Sequence, residues 1–206
     1  MRLLITAGGT REYIDPVRFI SNASSGRMGY ALAHAALKAG HQVTLITAPT
    51  ALKPPARARI VRVRSAAQMF RAVKKCFPEC DCLIMAAAVA DYTPAHPSKT
   101  KIRKDHGPKP TLHLKRTPDI LKWAGRNKEE GQILVGFALE DEDLRARAEK
   151  KLREKRLDMI VANGPSAIEA ERSDVQIKVA GGAWLTLNGM TKTVTARRAI
   201  RLLEQL

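Results

Sequence analysis

Arg2-Leu-Leu-Ile-Thr-Ala-Gly-Gly-Thr10 opens the chain with an apolar run closed by a glycine pair. Without polar alternation such a run suits a strand covered on both faces of a parallel sheet, and glycines at its end allow a turn close to a phosphate. Met28 to Ala39 then carries Met28, Leu32, Ala35, Ala36 and Ala39 at helical spacing, stops at Gly40, and precedes the strand Gln42-Val-Thr-Leu-Ile-Thr47. This is a βαβ unit. Arg59 to Arg64 reads as a third strand, Ser65 as the N-cap of a helix from Ala66 to about Lys75, and Cys82-Leu-Ile-Met-Ala-Ala-Ala-Val89 as the most apolar strand. The alternation predicts an α/β fold, a Rossmann-like, doubly wound and mostly parallel sheet flanked by helices.

Downstream, Thr111 to Lys115 alternates as a strand does, and Thr117-Pro118 opens a helix with proline at its first position. Gln132 to Ala138 and Leu157 to Ala162 read as strands around a charged helix from Asp141 to Arg156. Asp174 to Leu187 reads as a hairpin turning at Gly181-Gly182, the antiparallel extension of the sheet, and Val194 to Leu206 as a closing amphipathic helix. Thr93 to Pro110 holds four prolines and a glycine together with Lys99, Lys101, Arg103 and Lys104, the composition of a flexible flap or linker. The 206 residues suit one domain spanning 1–206.

Net charge is +16, and between Pro16 and Pro78 there are eleven Lys or Arg but no Asp or Glu. Such a surface attracts polyanions, whether nucleic acid or nucleotide triphosphates, and an aromatic content of 4% offers little for stacking on bases. Cys76, Cys80 and Cys82 lack zinc-ligand spacing and read as buried reduced thiols. The chain starts directly in a strand, with no leader and no run of transmembrane length, so a cytoplasmic protein without membrane attachment is expected.

Between the first strand and first helix lies Asp15-Pro-Val-Arg-Phe-Ile-Ser-Asn-Ala-Ser-Ser-Gly-Arg-Met-Gly29. Arg18 offers a planar guanidinium to phosphate or carboxylate, and Asn22 both a donor and an acceptor. Ser24, Ser25 and Gly26 lead into the positive end of a helix, where an oxyanion binds readily. Asp91 follows a run of small residues at a strand end, as suits a carboxylate for a ribose hydroxyl or an exocyclic amine, though an Asp that merely turns the chain before Pro94 fits equally. Lys151 and Lys155 share a helix face and so can meet one ligand, though alone such a pair reads as surface charge. Phe137 can stack on a base, and Gly136 permits close backbone approach. The dinucleotide fingerprint is incomplete, and strand two ends Thr47-Ala48-Pro49 without an acidic residue for NAD ribose. An NAD(P)-dependent reductase and a basic nucleic-acid-binding domain remain the alternatives.

Together, Ile5-Thr-Ala-Gly-Gly-Thr-Arg-Glu12, the 15–29 stretch, Ala86-Ala-Ala-Val-Ala-Asp-Tyr92, Lys101-Ile-Arg-Lys104, Thr117-Pro-Asp-Ile120, Val135-Gly-Phe-Ala138 and Val161-Ala-Asn163 resemble the phosphopantothenate–cysteine ligases (phosphopantothenoylcysteine synthetases). The resemblance covers about four-fifths of the chain. It implies coenzyme A biosynthesis, with an acyl-cytidylate made from 4'-phosphopantothenate and CTP and then converted by cysteine, releasing pyrophosphate and CMP.

The resemblance also implies roles. Asn22 and Lys101 are the catalytic residues, Asn22 for conversion of the acyl-cytidylate and Lys101 for its formation. Arg18, Ser24, Ser25 and Gly26 belong to the substrate stretch. Gly8 and Gly9 lie at the nucleotide crevice by their place after strand one, and Met85, Ala86, Ala87, Asp91, Thr117, Pro118, Asp119, Ile120, Phe137, Lys151 and Lys155 match nucleotide-binding positions. Magnesium is expected with CTP, flavin is not, and no metal ligands are assigned. A homodimer is implied, with no nucleic-acid partner. Many relatives carry a flavin-dependent decarboxylase ahead of this domain, so a separate downstream phosphopantothenoylcysteine decarboxylase is expected. The flap has Arg103 where lysine is commoner, and Gly164 to Asp174 departs from the family pattern.

Overall fold

The computed structural model describes residues 1–104, 111–168 and 170–206. In chain order its elements are β1 (Arg2–Ala7), β2 (Arg11–Tyr13), β3 (Phe19–Ser21), α1 (Arg27–Lys38), β4 (Gln42–Thr47), β5 (Arg59–Arg62), α2 (Ala66–Cys76), β6 (Cys82–Met85), β7 (Tyr92–Pro94) and β8 (Leu114–Arg116). There follow α3 (Ile120–Asn127), β9 (Ile133–Leu139), α4 (Leu144–Glu154), β10 (Met159–Asn163), β11 (Arg172–Val179), β12 (Trp184–Thr191) and α5 (Lys192–Leu203).

Eight strands form one sheet in the order β12-β11-β10-β9-β6-β1-β4-β5. Six of them, from β10 to β5, run parallel, and β11 and β12 extend the sheet antiparallel. Strands β4 and β5 lie on one side of β1 and β6, β9 and β10 on the other, so the winding reverses between β1 and β6. In such sheets ligands bind beyond the carboxyl ends of the strands at that reversal.

Alternation along β1 explains why the sheet is covered on both faces. Leu3, Ile5 and Ala7 join a core with α1 and α5, whereas Leu4 joins another with α2, α3 and α4. Helix α1 lies so close to β1 that a Cβ on Gly29 would come within 2.5 Å of Ala7 Cβ and 2.8 Å of the Thr6 carbonyl oxygen. Ser65 caps α2 as expected, its hydroxyl accepting from the Gln68 N–H. The expected buried thiols are found at Cys80 and Cys82, and Cys76 is half-buried. Burial pushes the Cys80 thiol pKa up to about 12 and raises that of Cys82 as well.

Several boundaries differ from the sequence reading, each for a local reason. Strand β6 stops at Met85 rather than Val89. Beyond it the backbone turns to the β1 loop: Ala87 N–H donates to Thr6 Oγ1, Ala88 N–H to the Gly8 carbonyl and Ala90 N–H to Thr10 Oγ1. Strand β5 stops at Arg62, and the Arg64 carbonyl receives Arg11 N–H from outside the sheet. Helix α3 begins at Ile120 because Asp119 is its N-cap, accepting from Lys122 N–H; Pro118 therefore precedes the helix. Helix α4 begins at Leu144, after Asp143 in the left-handed region at φ 47°.

The strand expected at 111–115 is the shorter β8, paired with β7. The strands β2, β3 and β7 escaped the sequence reading, since three residues carry too little periodicity to register. Of the expected flap, 105–110 lies outside the described residues. No helix among the described residues is long and apolar enough to cross a membrane.

Candidate active site

Two loops meet beyond β1 and β6. The Gly8–Thr10 loop bridges to Ala88, with Thr10 N–H donating to the Ala88 carbonyl. Over this junction lies the 15–29 stretch. The Asn22 side-chain amide donates to the Val89 carbonyl at 3.1 Å and so ties that stretch to the loop leading to Asp91. Gly9 passes so near Asn22 that a Cβ there would stand 2.8 Å from its carbonyl oxygen. Gly9 thus stands on the Asn22 side of the junction, whereas Gly8 lies against Ala48 and Gly26. Ser24 and Ser25 lie just before α1, whose N-cap Gly26 has φ 76° and no side-chain cap; the Ser25 carbonyl is held by the Thr50 hydroxyl at 2.9 Å.

A crevice of about 170 Å³ opens next to this junction, lined by residues that include Met85, Ala87, Asp91, Thr117, Pro118, Asp119, Ile120, Phe137, Lys151 and Lys155. All the expected nucleotide positions except Gly8, Gly9 and Ala86 are therefore gathered in one place. Ala86 is packed toward the α1 side of the sheet instead. Val89 and Leu121 line the crevice too and were not anticipated, since neither carries a polar signal. Thr117 is locked in place, its hydroxyl donating to the Ala90 carbonyl at 2.6 Å and its N–H to that of Asp91.

Gly136 serves packing: where a side chain would be, Leu157 and Leu121 approach to 2.6 and 3.0 Å. A larger cavity of about 510 Å³ lies at the amino ends of β1 and β4, among Arg2, His41 and Arg57. It contains none of the expected residues and sits at the end of the sheet opposite to that where doubly wound folds bind ligands.

Lys151 and Lys155 reach the crevice from α4 and its C-cap. Lys151 Nζ donates to the Phe137 carbonyl at 3.1 Å. Burial, helped by the nearby Lys155, lowers its pKa, so the group gains from any anion brought beside it. Lys155 is paired with Asp119 at 2.8 Å. Burial alone would raise the Asp119 carboxyl; the Lys155 ammonium and the Lys122 N–H outweigh it and hold the pKa low. Among the described residues no three His, Cys, Asp or Glu side chains are gathered to hold a metal. Of the two carboxylates lining the crevice, Asp119 is engaged by Lys155 and the Lys122 N–H, whereas Asp91 could serve a magnesium ion that is otherwise held by phosphate oxygens and water.

Arg18 is engaged within its own turn. Its Nε and one terminal nitrogen donate to Asp15 Oδ2, and the same terminal nitrogen donates to the Ile102 carbonyl. Two of its three nitrogens are therefore committed to the protein. Lys101, adjacent to Ile102, is exposed on the strap passing this turn and does not line the crevice. The Asp15 side chain is fully buried. Burial would raise its pKa, but N–H groups of Arg18, Val17 and Ile102 point at it and hold it well below the usual carboxylate range. Sequence reasoning passed over Asp15 because a single Asp before proline reads as turn chemistry.

The family model of the DNA/pantothenate metabolism flavoprotein C-terminal domain matches residues 1–206. The coenzyme A biosynthesis bifunctional protein CoaBC of Bacillus subtilis (strain 168) is 51% identical over 166 residues, 80% of this chain and 40% of that protein. A protein named cysteine/cysteine sulfinic acid decarboxylase, from an unknown prokaryotic organism, is 50% identical over 163 residues, 79% of this chain and 45% of that protein. The chain thus spans less than half the length of these two relatives. The crystal structure of the C-terminal domain of a CoaBC bifunctional protein superposes with a TM-score of 0.85 at 41% identity, covering 99% of this chain and 94% of that one.

Proposed function

The chain belongs to the family of the DNA/pantothenate metabolism flavoprotein C-terminal domain, and from that premise we propose that it ligates cysteine to 4'-phosphopantothenate in coenzyme A biosynthesis. The nucleotide is CTP. In the first step a carboxylate oxygen of phosphopantothenate attacks the α-phosphorus, the bond to the bridging oxygen breaks, and pyrophosphate leaves. In the second the cysteine amine attacks the acyl carbon, CMP departs, and the amine gives up a proton.

One observation carries this reading most. The crevice that collects Asp91, Thr117 to Ile120, Phe137, Lys151 and Lys155 adjoins the loop where Asn22 holds Val89. A nucleotide in the crevice would present its α-phosphate toward the substrate loop, and holding two reactants in line supplies much of the rate for such a transfer. Lys151, Lys155 and Lys101 would balance triphosphate charge, and the Ser24–Gly26 turn at the start of α1 would hold a substrate anion. Arg18 contributes one remaining nitrogen and the shape of the turn. Magnesium, entering with CTP, would neutralise phosphate charge. The protein acts as a homodimer in the cytoplasm.

Purified protein with CTP, magnesium, phosphopantothenate and cysteine is expected to release pyrophosphate and CMP in equal amounts. Release of neither overturns the proposal. A thermal shift with CTP exceeding those with ATP and NADPH is expected alongside; a shift with NADPH alone favours the reductase instead.

A further inference from the structure

The strap from Ser98 to Ile102 runs along the Ile14–Arg18 turn and is attached to it at both ends. Ser98 N–H donates to the Ile14 carbonyl at 2.8 Å. At the far end the peptide groups of Ile102 are gripped from two sides: its N–H donates to Asp15 Oδ2 at 3.1 Å, and its carbonyl accepts from Arg18 at 2.6 Å. The Ile102 side chain is 41% exposed and belongs to neither core cluster. The grip is polar and is centred on one buried carboxylate.

The two oxygens of that carboxylate have separate duties. Oδ1 accepts from the Val17 and Arg18 N–H groups, both at 2.8 Å, and shapes the turn. Oδ2 accepts from the Arg18 guanidinium and from Ile102 N–H. We propose that Asp15 is a positioning residue whose Oδ2, directly and through Arg18, latches the strap and sets where Lys101 stands relative to the nucleotide crevice. The part played by Lys101 rests on the function proposed above; the latch itself does not.

This division of labour defines the test. Asp15→Asn keeps an oxygen for Val17 and Arg18 N–H but places an NH2 donor against the Arg18 and Ile102 donors, so the turn survives and the latch opens. Trypsin cleaves after lysine, and the Lys101–Ile102 bond is the one whose N–H Asp15 holds. Cleavage there, followed by mass spectrometry on unliganded protein, is expected to accelerate at least fivefold in Asp15→Asn relative to the cut after Lys38. Pyrophosphate release is expected to fall at least tenfold, whereas conversion of supplied acyl-cytidylate with cysteine stays within twofold, a split that general destabilisation does not produce.

Unchanged cleavage at Lys101–Ile102 overturns the latch. Faster cleavage with undiminished pyrophosphate release overturns the link to Lys101. If wild-type protein releases no pyrophosphate, the proposed function fails while the cleavage result still decides the latch. Should Asp15→Asn not fold, Arg18→Lys removes the forked contact and the bond to the Ile102 carbonyl, and cleavage at Lys101–Ile102 alone then decides the latch: faster cleavage supports it and unchanged cleavage overturns it.

Discussion

One N–H of the Asn22 side-chain amide is engaged, and among the described residues its other N–H and its oxygen have no protein partner. Its amide holds the Val89 carbonyl, which fixes the side chain at the junction of the two loops. In Asn22→Asp that donor is lost, and a negative charge stands beside an acyl-phosphate bond that must itself gain negative charge as it reacts. Pyrophosphate release is expected to persist while product formation falls by about a hundredfold, because the second N–H of the amide, the donor available to a developing oxyanion, is lost with the first. Accumulated acyl-cytidylate on chromatography would show it; normal product yield would remove Asn22 from the second step. The sequence singled out Asn22 and Asp91 as polar groups before a helix start and at a strand end, whereas the part given to Lys151 came from the family resemblance. Asp15 and Thr10 were not singled out: their importance lies in partners 87 and 80 residues away.

Among the elements, α1 has little room to vary against β1. Its contact with β1 depends on Gly29, and Gly29→Ala forces a methyl group into the Ala7 side chain and the Thr6 carbonyl. Overpacking of this kind costs about 1–3 kcal/mol, and more where backbone rather than a flexible side chain must move. Ser65→Ala at the cap of α2 should cost about 1 kcal/mol, the usual worth of such a cap. Urea unfolding of both variants checks the order, and a Gly29 variant as stable as wild type would mean that helix and strand can separate without penalty. The long periodic helices and strands were readable within a few residues of their true ends. Strand β6 was overextended because Ala86 to Val89 is as apolar as a strand, yet its N–H groups are claimed by the β1 loop rather than by a neighbouring strand.

The whole molecule is electrically lopsided. Eleven cations without an acid lie between Pro16 and Pro78, whereas twelve of the twenty acidic residues fall between Glu129 and Asp174. Those carboxylates that are engaged matter for acid stability. Asp81 beside Arg2, Glu149 beside Lys178 and Trp184, Asp119 and Asp15 are all held below their ordinary pKa by the donors around them. A carboxyl depressed in the folded state stabilises the fold fully above its unfolded pKa of about 4, and that contribution disappears as pH falls toward the folded value. The melting temperature is therefore expected to hold between about pH 7 and 5 and to drop below about 4, where the growing positive charge adds repulsion. A flat melting curve from pH 5 to 3 would mean that these pairs carry little of the stability.

From sequence alone came the α/β class, the order of the principal elements and the chemical kinds of residue available, because periodicity and local turn chemistry are properties of neighbours in the chain. The site itself was decided by tertiary structure. Winding reverses between β1 and β6, and only that reversal lays the 8–10 loop, the 86–91 loop and the 15–29 stretch across one another. The same folding turned Arg18 from an open anion hook into half of a clasp on the strap. A guanidinium near a buried carboxylate and a free carbonyl satisfies both, and which groups lie near is something one-dimensional spacing does not contain.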